Sequence, residues 1–155
     1  MTLAYFSLGS NLGDRGGYLR RGVAMMVKNE ESRVSRVYQS EPVGGVVQDD
    51  FWNLVLEVST EASAYELLAR AHAAEDAAER TREVRWGPRT LDVDIVWIDG
   101  VTCDDEELTV PHPRLFERNF VLVPLRELRE DLVSDAQLDS ADGVVAVVGT
   151  LETLH

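Results

Sequence analysis

Cysteine and lysine are scarce in this chain and long apolar runs are missing; each shortage excludes something. One cysteine, Cys103, among 155 residues leaves no partner for an internal disulfide, which fits a reducing cytoplasm, the expected location. No apolar stretch approaches the ~20 residues needed to span a bilayer, so no membrane partner is expected. The opening MTLAYFSLGSNLGDR has no basic leader and no long apolar centre, and so does not read as a secretory signal. Lysine occurs once, at Lys28, against 14 arginines, and the formal net charge is -13. So acidic a chain lacks the broad basic surface that a phosphate backbone requires, which argues against nucleic acid as the main partner. There is no G-x-x-x-x-G-K-[ST] segment, so any nucleotide is bound without a P-loop.

Hydrophobic residues make up 45% of the chain, an ordinary globular composition, and the length suits one domain spanning 1–155. Residues 3–8 read as a strand and GSNLGD as the turn after it. Asp14 caps an expected helix over 15–28, with Leu19, Val23, Met26 and Val27 on one face. Residues 33–40 read as a second strand. FWNLVLEV, 51–58, is the clearest strand: Trp52, Leu54, Leu56 and Val58 alternate onto a core face, Phe51, Asn53, Val55 and Glu57 onto an open one. Ser63 and Glu66 form a capping box for a helix over 64–79 with Leu67, Ala71, Ala74 and Ala78 inward. TLDVDIVWI is a further strand, with Leu91, Val93, Ile95 and Trp97 on one side. A proline-rigid loop then leads to a short helix near 120–128. The tail, 134–155, carries one apolar run, VVAVV, and no period that assigns it. The order strand, helix, strand, strand, helix, strand predicts an α+β ferredoxin-like sandwich, a mostly antiparallel sheet with helices packed on its faces.

Within TLDVDIVWI, Asp92 and Asp94 share one face of the strand. Two carboxylates so placed repel unless cations lie between them, and hard oxygen donors suit Mg²⁺ with bound phosphates. A solvated acidic pair at a sheet edge is the simpler alternative from these two residues alone. Arg80, Arg82, Arg85 and Arg89 precede the strand within ten residues, and the turn Gly87-Pro88-Arg89 feeds directly into it. That grouping favours a phosphate clamp. Phe51 beside Asn53 offers a stacking surface and a donor–acceptor pair to a flat heterocycle, though cross-strand packing would produce the same pattern. His112, between Pro111 and Pro113, is a candidate donor to a phosphate oxygen. A compact nucleotidyltransferase motif is excluded, because Gly9-Ser10 lies too far from Asp92. A binding module without catalysis would keep Phe51 and Asn53 but could lose the aspartates; both are present, which favours catalysis.

The segment R-W-G-P-R-T-L-D-V-D-I-V, residues 85–96, closely resembles the signature of the 6-hydroxymethyl-7,8-dihydropterin pyrophosphokinase family. SLGSNLGDR at 7–15, YQSEPVG at 38–44 with Gln48, Phe51 and Asn53, and VPHPRLFERNFVLVPL at 110–125 are similar to its other motifs, in the same order. The resemblance implies pyrophosphate transfer from ATP to 6-hydroxymethyl-7,8-dihydropterin, with two Mg²⁺ held by Asp92 and Asp94. It assigns Arg80, Arg82 and Arg89 to catalysis. Glu75, Arg85, Trp86, Ile95, Thr109, His112 and Arg118 fall on the nucleotide side, with Trp86 sealing the loop. It places Ser40, Pro42, Val43, Phe51, Asn53 and Phe120 around the pterin, and a monomer is expected. The chain departs from the pattern at Glu79, where glycine is expected, and at Ser40, where threonine is common.

Overall fold

The computed structural model describes residues 1–41, 49–79 and 90–154. Its elements follow in the order β1 (Thr2–Ser10), α1 (Arg15–Met26), β2 (Ser32–Val34), β3 (Val37–Ser40), β4 (Phe51–Thr60), α2 (Ala64–Glu79), β5 (Asp92–Ile98), β6 (Cys103–Asp104), β7 (Thr109–Val110), α3 (Asn119–Leu128), α4 (Asp135–Ser140) and β8 (Val145–Gly149). The main sheet runs β5-β1-β4-β3-β8, with β2 also paired to β4, and every pairing in it is antiparallel. The expected ferredoxin-like α+β arrangement is therefore present, with helices on both faces of the sheet. No helix among the described residues is long and apolar enough to cross a membrane.

The first face of the sheet is apolar along its middle. Ala4, Phe6 and Leu8 of β1, Leu54, Leu56 and Val58 of β4, and Val93 and Ile95 of β5 meet Leu19 and Met26 of α1 and Leu67, Ala71 and Ala74 of α2. These are the alternating sets anticipated for β4 and for α2, whose Ser63–Glu66 capping box also forms. Close approach of α1 depends on Gly22, where a Cβ would come within 3.0 Å of both Leu8 and Leu91. Asp14 caps α1 by accepting the Gly17 N–H at 3.0 Å. Arg70 of α2 pairs with Glu30 at 2.8 Å and donates to the Met26 carbonyl that ends α1.

The second face is a core as well, rather than the open surface anticipated for β4. Tyr5, Val55 and Val96 pack beneath Val121, Leu122 and Leu125 of α3. The C-terminal end of α3 is latched to the sheet by a polar network around the buried Tyr5 and Glu57. Tyr5 Oη donates to Glu57 at 2.5 Å, Arg33 grips Glu57 at 2.7 and 2.8 Å and the Leu128 carbonyl at 3.0 Å, and Arg129 bridges Tyr5 Oη and Asp99. Beside it, Glu127 accepts from Tyr38 Oη, from the Arg36 guanidinium and from the Arg36 backbone. Burial, reinforced by Glu57, pushes the Tyr5 hydroxyl up to about 12 despite Arg129. Arg33 holds Glu57 below its usual range against the opposing effect of burial.

Other departures from the sequence reading have local causes. Trp97 does not join Val93 and Ile95. A bulge pairs Tyr5 with Trp97 and Phe6 with Ile95, so Val96 is extra, Trp97 packs under α3 and Ile98 takes the inward place. The strand expected over 33–40 is split, because Ser35 Oγ accepts the Val55 N–H that a continuous ladder would bind. Gly9 and Ser10, read as turn, continue β1, and α1 ends at Met26, two residues before the expected end. The unassigned tail supplies α4 and β8, and VVAVV becomes an edge strand on β3.

The two sheet edges differ. On β5 the Val93 N–H is taken by Glu75 of α2 at 3.1 Å, and the Val96 carbonyl by the His112 N–H at 3.0 Å. On β8 the outer edge is uncovered among the described residues, with Val147 50% exposed.

Candidate active site

Strand register brings the candidate residues into rows. Asp92 of β5 lies opposite Gly9 of β1, Gly9 opposite Asn53 of β4, and Asn53 opposite Tyr38 of β3. One row along, Asp94 lies opposite Ser7, and Ser7 opposite Val55. Asp92 and Asn53 are thus two strand spacings apart, ~10 Å, on the α3 face of the sheet. Asp94 is exposed and Asp92 half-buried.

Asn53 is buried, and its amide nitrogen is engaged: Nδ2 donates to Ser40 Oγ at 2.8 Å and to the Tyr38 carbonyl at 3.2 Å. Among the described residues its Oδ1 accepts no hydrogen bond, so an acceptor with fixed orientation faces the row. Gly9 keeps that acceptor open, since a Cβ there would stand 3.0 Å from Asn53 Oδ1 and 3.6 Å from the Phe51 ring. Phe51 is half-buried at the start of β4. Phe120, in the first turn of α3, packs against the edge of the second core, with the Arg118 guanidinium 5.6 Å from its ring centre.

Asp94, Val96, His112, Arg118 and Val121 line one shallow depression. The imidazole Nδ1 of His112 accepts the Arg114 N–H at 3.1 Å, which leaves the proton of the neutral ring on Nε2. Burial lowers the His112 pKa, with Arg118 and Arg114 adding to that effect and Asp94 opposing it. This favours the neutral ring, whose Nε2 N–H is the available donor.

Thr109 is half-buried in β7, and Glu75 is tied to the outer edge of β5 through the Val93 N–H. Ile95 points into the core beneath α1 and α2 and leaves only backbone at the sheet edge. Ser40 acts here through its hydroxyl, as the acceptor that orients Asn53. Arg80, Arg82, Arg85, Trp86, Arg89, Pro42 and Val43 lie outside the described residues. Two contributors escaped the sequence reading. Gly9 matters for the side chain it lacks, and the glycine before Ser10 was its only signal. Arg114 matters for a backbone N–H, which carries no sequence signal.

A family model described as 7,8-dihydro-6-hydroxymethylpterin-pyrophosphokinase matches residues 5–130. The 2-amino-4-hydroxy-6-hydroxymethyldihydropteridine pyrophosphokinase of Bacillus subtilis (strain 168) is 42% identical over 144 residues, covering 91% of this chain and 86% of that one. The protein of the same description from Methylorubrum extorquens is 41% identical over 136 residues, 86% of each chain. The bifunctional protein FolKE of Lactococcus lactis (strain IL1403) is 44% identical over 131 residues, 83% of this chain and 38% of its own length. The chain is an enzyme, a diphosphotransferase. It belongs to the 7,8-dihydro-6-hydroxymethylpterin-pyrophosphokinase family, the pyrophosphokinases of folate biosynthesis.

Proposed function

We propose that this enzyme transfers pyrophosphate from ATP to 6-hydroxymethyl-7,8-dihydropterin in an Mg²⁺-dependent reaction that releases AMP. The observation that carries the reading is the single cross-strand row holding Asp92, Gly9 and Asn53. A flat heterocycle seated on the Asn53 acceptor, between Phe51 and Phe120, would extend its hydroxymethyl arm along the row toward the carboxylates.

The donor set fits Mg²⁺. Asp92 and Asp94 offer hard oxygens on one face, and among the described residues no group of three or more His, Cys, Asp or Glu could form an all-protein cage. An ion held by two carboxylates takes its remaining ligands from water and phosphate oxygens, as Mg²⁺ commonly does. Two ions held by Asp92 and Asp94 would neutralise triphosphate charge and that developing in transfer. In the reaction the pterin hydroxyl oxygen bonds to the β-phosphorus as the bond from that phosphorus to the α–β bridging oxygen breaks, and the hydroxyl proton passes to solvent. His112 donates through Nε2 to a phosphate oxygen, and the Arg118 guanidinium faces the same anion. Arg80, Arg82 and Arg89 belong to the phosphate side of this reading, with Arg85 and Trp86 beside them. Pro42 and Val43 belong to the pterin side. No covalent enzyme intermediate is needed, so positioning and electrostatics carry the rate.

Product identity tests the reading. With ATP, Mg²⁺ and the pterin, AMP should appear in step with diphosphorylated pterin. ADP would make the reaction an ordinary phosphoryl transfer and overturn it. Pterin binding without turnover would point instead to a binding module.

A further inference from the structure

The segment from Ala141 to Gly149 lies beyond the region matched by the family model, which ends at residue 130. It contacts the chain neighbours of Phe120 on one side and the hydrogen-bond partners of Asn53 on the other. At one end it grips the start of α3. Asn119 Nδ2 donates to the Ala141 carbonyl at 3.2 Å and to the Gly143 carbonyl at 2.9 Å; the Asn119 N–H donates to the Asp142 carbonyl at 3.0 Å; and the Asp142 N–H returns to the Glu117 carbonyl at 2.9 Å. Arg118 and Asp142 form a parallel bridge. At the other end β8 pairs with β3, Val145 opposite Ser40, and Ser40 Oγ is the acceptor that orients Asn53. Only Gly143 and Val144 lie between Asp142, bridged to Arg118, and Val145, paired with Ser40.

We propose that residues 141–149 are a strap setting the position of Phe120 relative to Asn53, with Asn119 as the positioning residue. The proposal rests on the functional reading that these two side chains hold the pterin. The far end of α3 is fixed independently by Arg33, Arg36 and Arg129. The near end has no side-chain cap of its own on Arg118, so the strap supplies what a capping side chain otherwise would. The Asn119 side chain is spent on the strap, since its Nδ2 is fully used while its buried Oδ1 has no partner among the described residues. Gly143 turns the strap at φ 101, a conformation that side chains rarely adopt, and a Cβ there would meet nothing within 4 Å. Strain can therefore be put into the strap without touching Phe120 or Asn53.

The test uses the full chain with Asn119→Ala and Gly143→Ala, measuring KM for the pterin, KM for ATP, kcat and melting temperature. Loss of one or two hydrogen bonds at the start of α3 predicts a rise of about tenfold in pterin KM for Asn119→Ala and about threefold for Gly143→Ala. KM for ATP should rise less than KM for the pterin in each variant, because of the phosphate-side groups only Arg118 is bridged to the strap, while Asp94 and His112 sit on β5 and its neighbouring loop. Asp135→Ala, which breaks only the exposed Arg126–Asp135 pair in the same tail, should change none of these. A lower melting temperature with both KM values unmoved, or moved together, would show a merely structural tail and overturn the strap. Hydrogen exchange at the Asn119 and Val121 amides, which donate to the Asp142 and Arg118 carbonyls, gives a substrate-free check. It should quicken in both strap variants and not in Asp135→Ala; unchanged exchange would also sink the strap. If the wild type fails to turn over the pterin while exchange responds as expected, it is the functional reading that fails.

Discussion

The two faces of the sheet bury similar strands in different ways. Beneath α1 and α2 the surface is apolar along its middle, with polar Ser10 and Thr60 at its ends, and the helices meet it through Gly22 and small side chains. Beneath α3 the surface changes along its length. At the Glu57 end, buried charge is fully paired through Arg33, Tyr5 and Arg129. At the Phe51 end, Asp94 is exposed, and the Asn53 amide nitrogen is held by Ser40 and Tyr38 while its Oδ1 has no partner among the described residues. One face therefore supplies stability alone. The other divides between a latch and a site, and neighbouring residues of β4 serve both.

If this division holds, substitutions should separate activity from stability. Asp94→Ala should have the largest effect, lowering kcat by about a thousandfold if the carboxylate holds metal, with the melting temperature almost unchanged because the side chain is exposed. Near-normal turnover would remove Asp94 from the metal. Gly22→Val, on the apolar face, should do the reverse. Overpacking Leu8 and Leu91 should cost about 3 kcal/mol in chemical denaturation, with KM for both substrates retained. Glu30→Gln probes the ion pair between the loop after α1 and Arg70 of α2. Burial raises this carboxyl, but hydrogen bonds from Arg70, Thr60 and the Lys28 N–H outweigh it and bring it down to about 2. A depressed carboxylate stabilises the fold above its unfolded value and loses that contribution as pH falls, here from about 4.5 to about 2. Wild-type stability should fall through that window. Glu30→Gln should start roughly 2 kcal/mol lower at pH 7 and lose less across it. The smallest effect belongs to the latch. Tyr5→Phe removes one hydroxyl while Arg33 still holds Glu57 and Arg129 still holds Asp99, costing about 1 kcal/mol with kcat intact.

Features that depend on local period were legible in the sequence. The alternation of β4 assigned Leu54 and Leu56 correctly, and the capping box at Ser63 opened α2 where expected. Strand alternation also put Asp92 and Asp94, and Phe51 and Asn53, each pair on one side of its strand, and the sheet has all four on its α3 face. What escaped depends on distant partners. The bulge that turns Trp97 to the α3 side is set by pairing with β1. The latch joins Tyr5 to residues 52 and 124 positions away. Asn119 was passed over because its partners are backbone carbonyls, which every sequence provides. The tail stayed unassigned because β8 is a half-exposed edge strand with no clean alternation.

The unequal edges of the sheet bear on how copies of this chain could associate. Edge strands are templates for further strands. Glu75 and the His112 backbone already occupy hydrogen-bonding groups along β5, whereas among the described residues the outer edge of β8 is uncovered. A second molecule adding at that rim would use up the open edge of both partners and leave a blocked strand at each end of the joined sheet. Growth by this route therefore stops at a pair, and a fibre would first require β5 to be stripped of its cover.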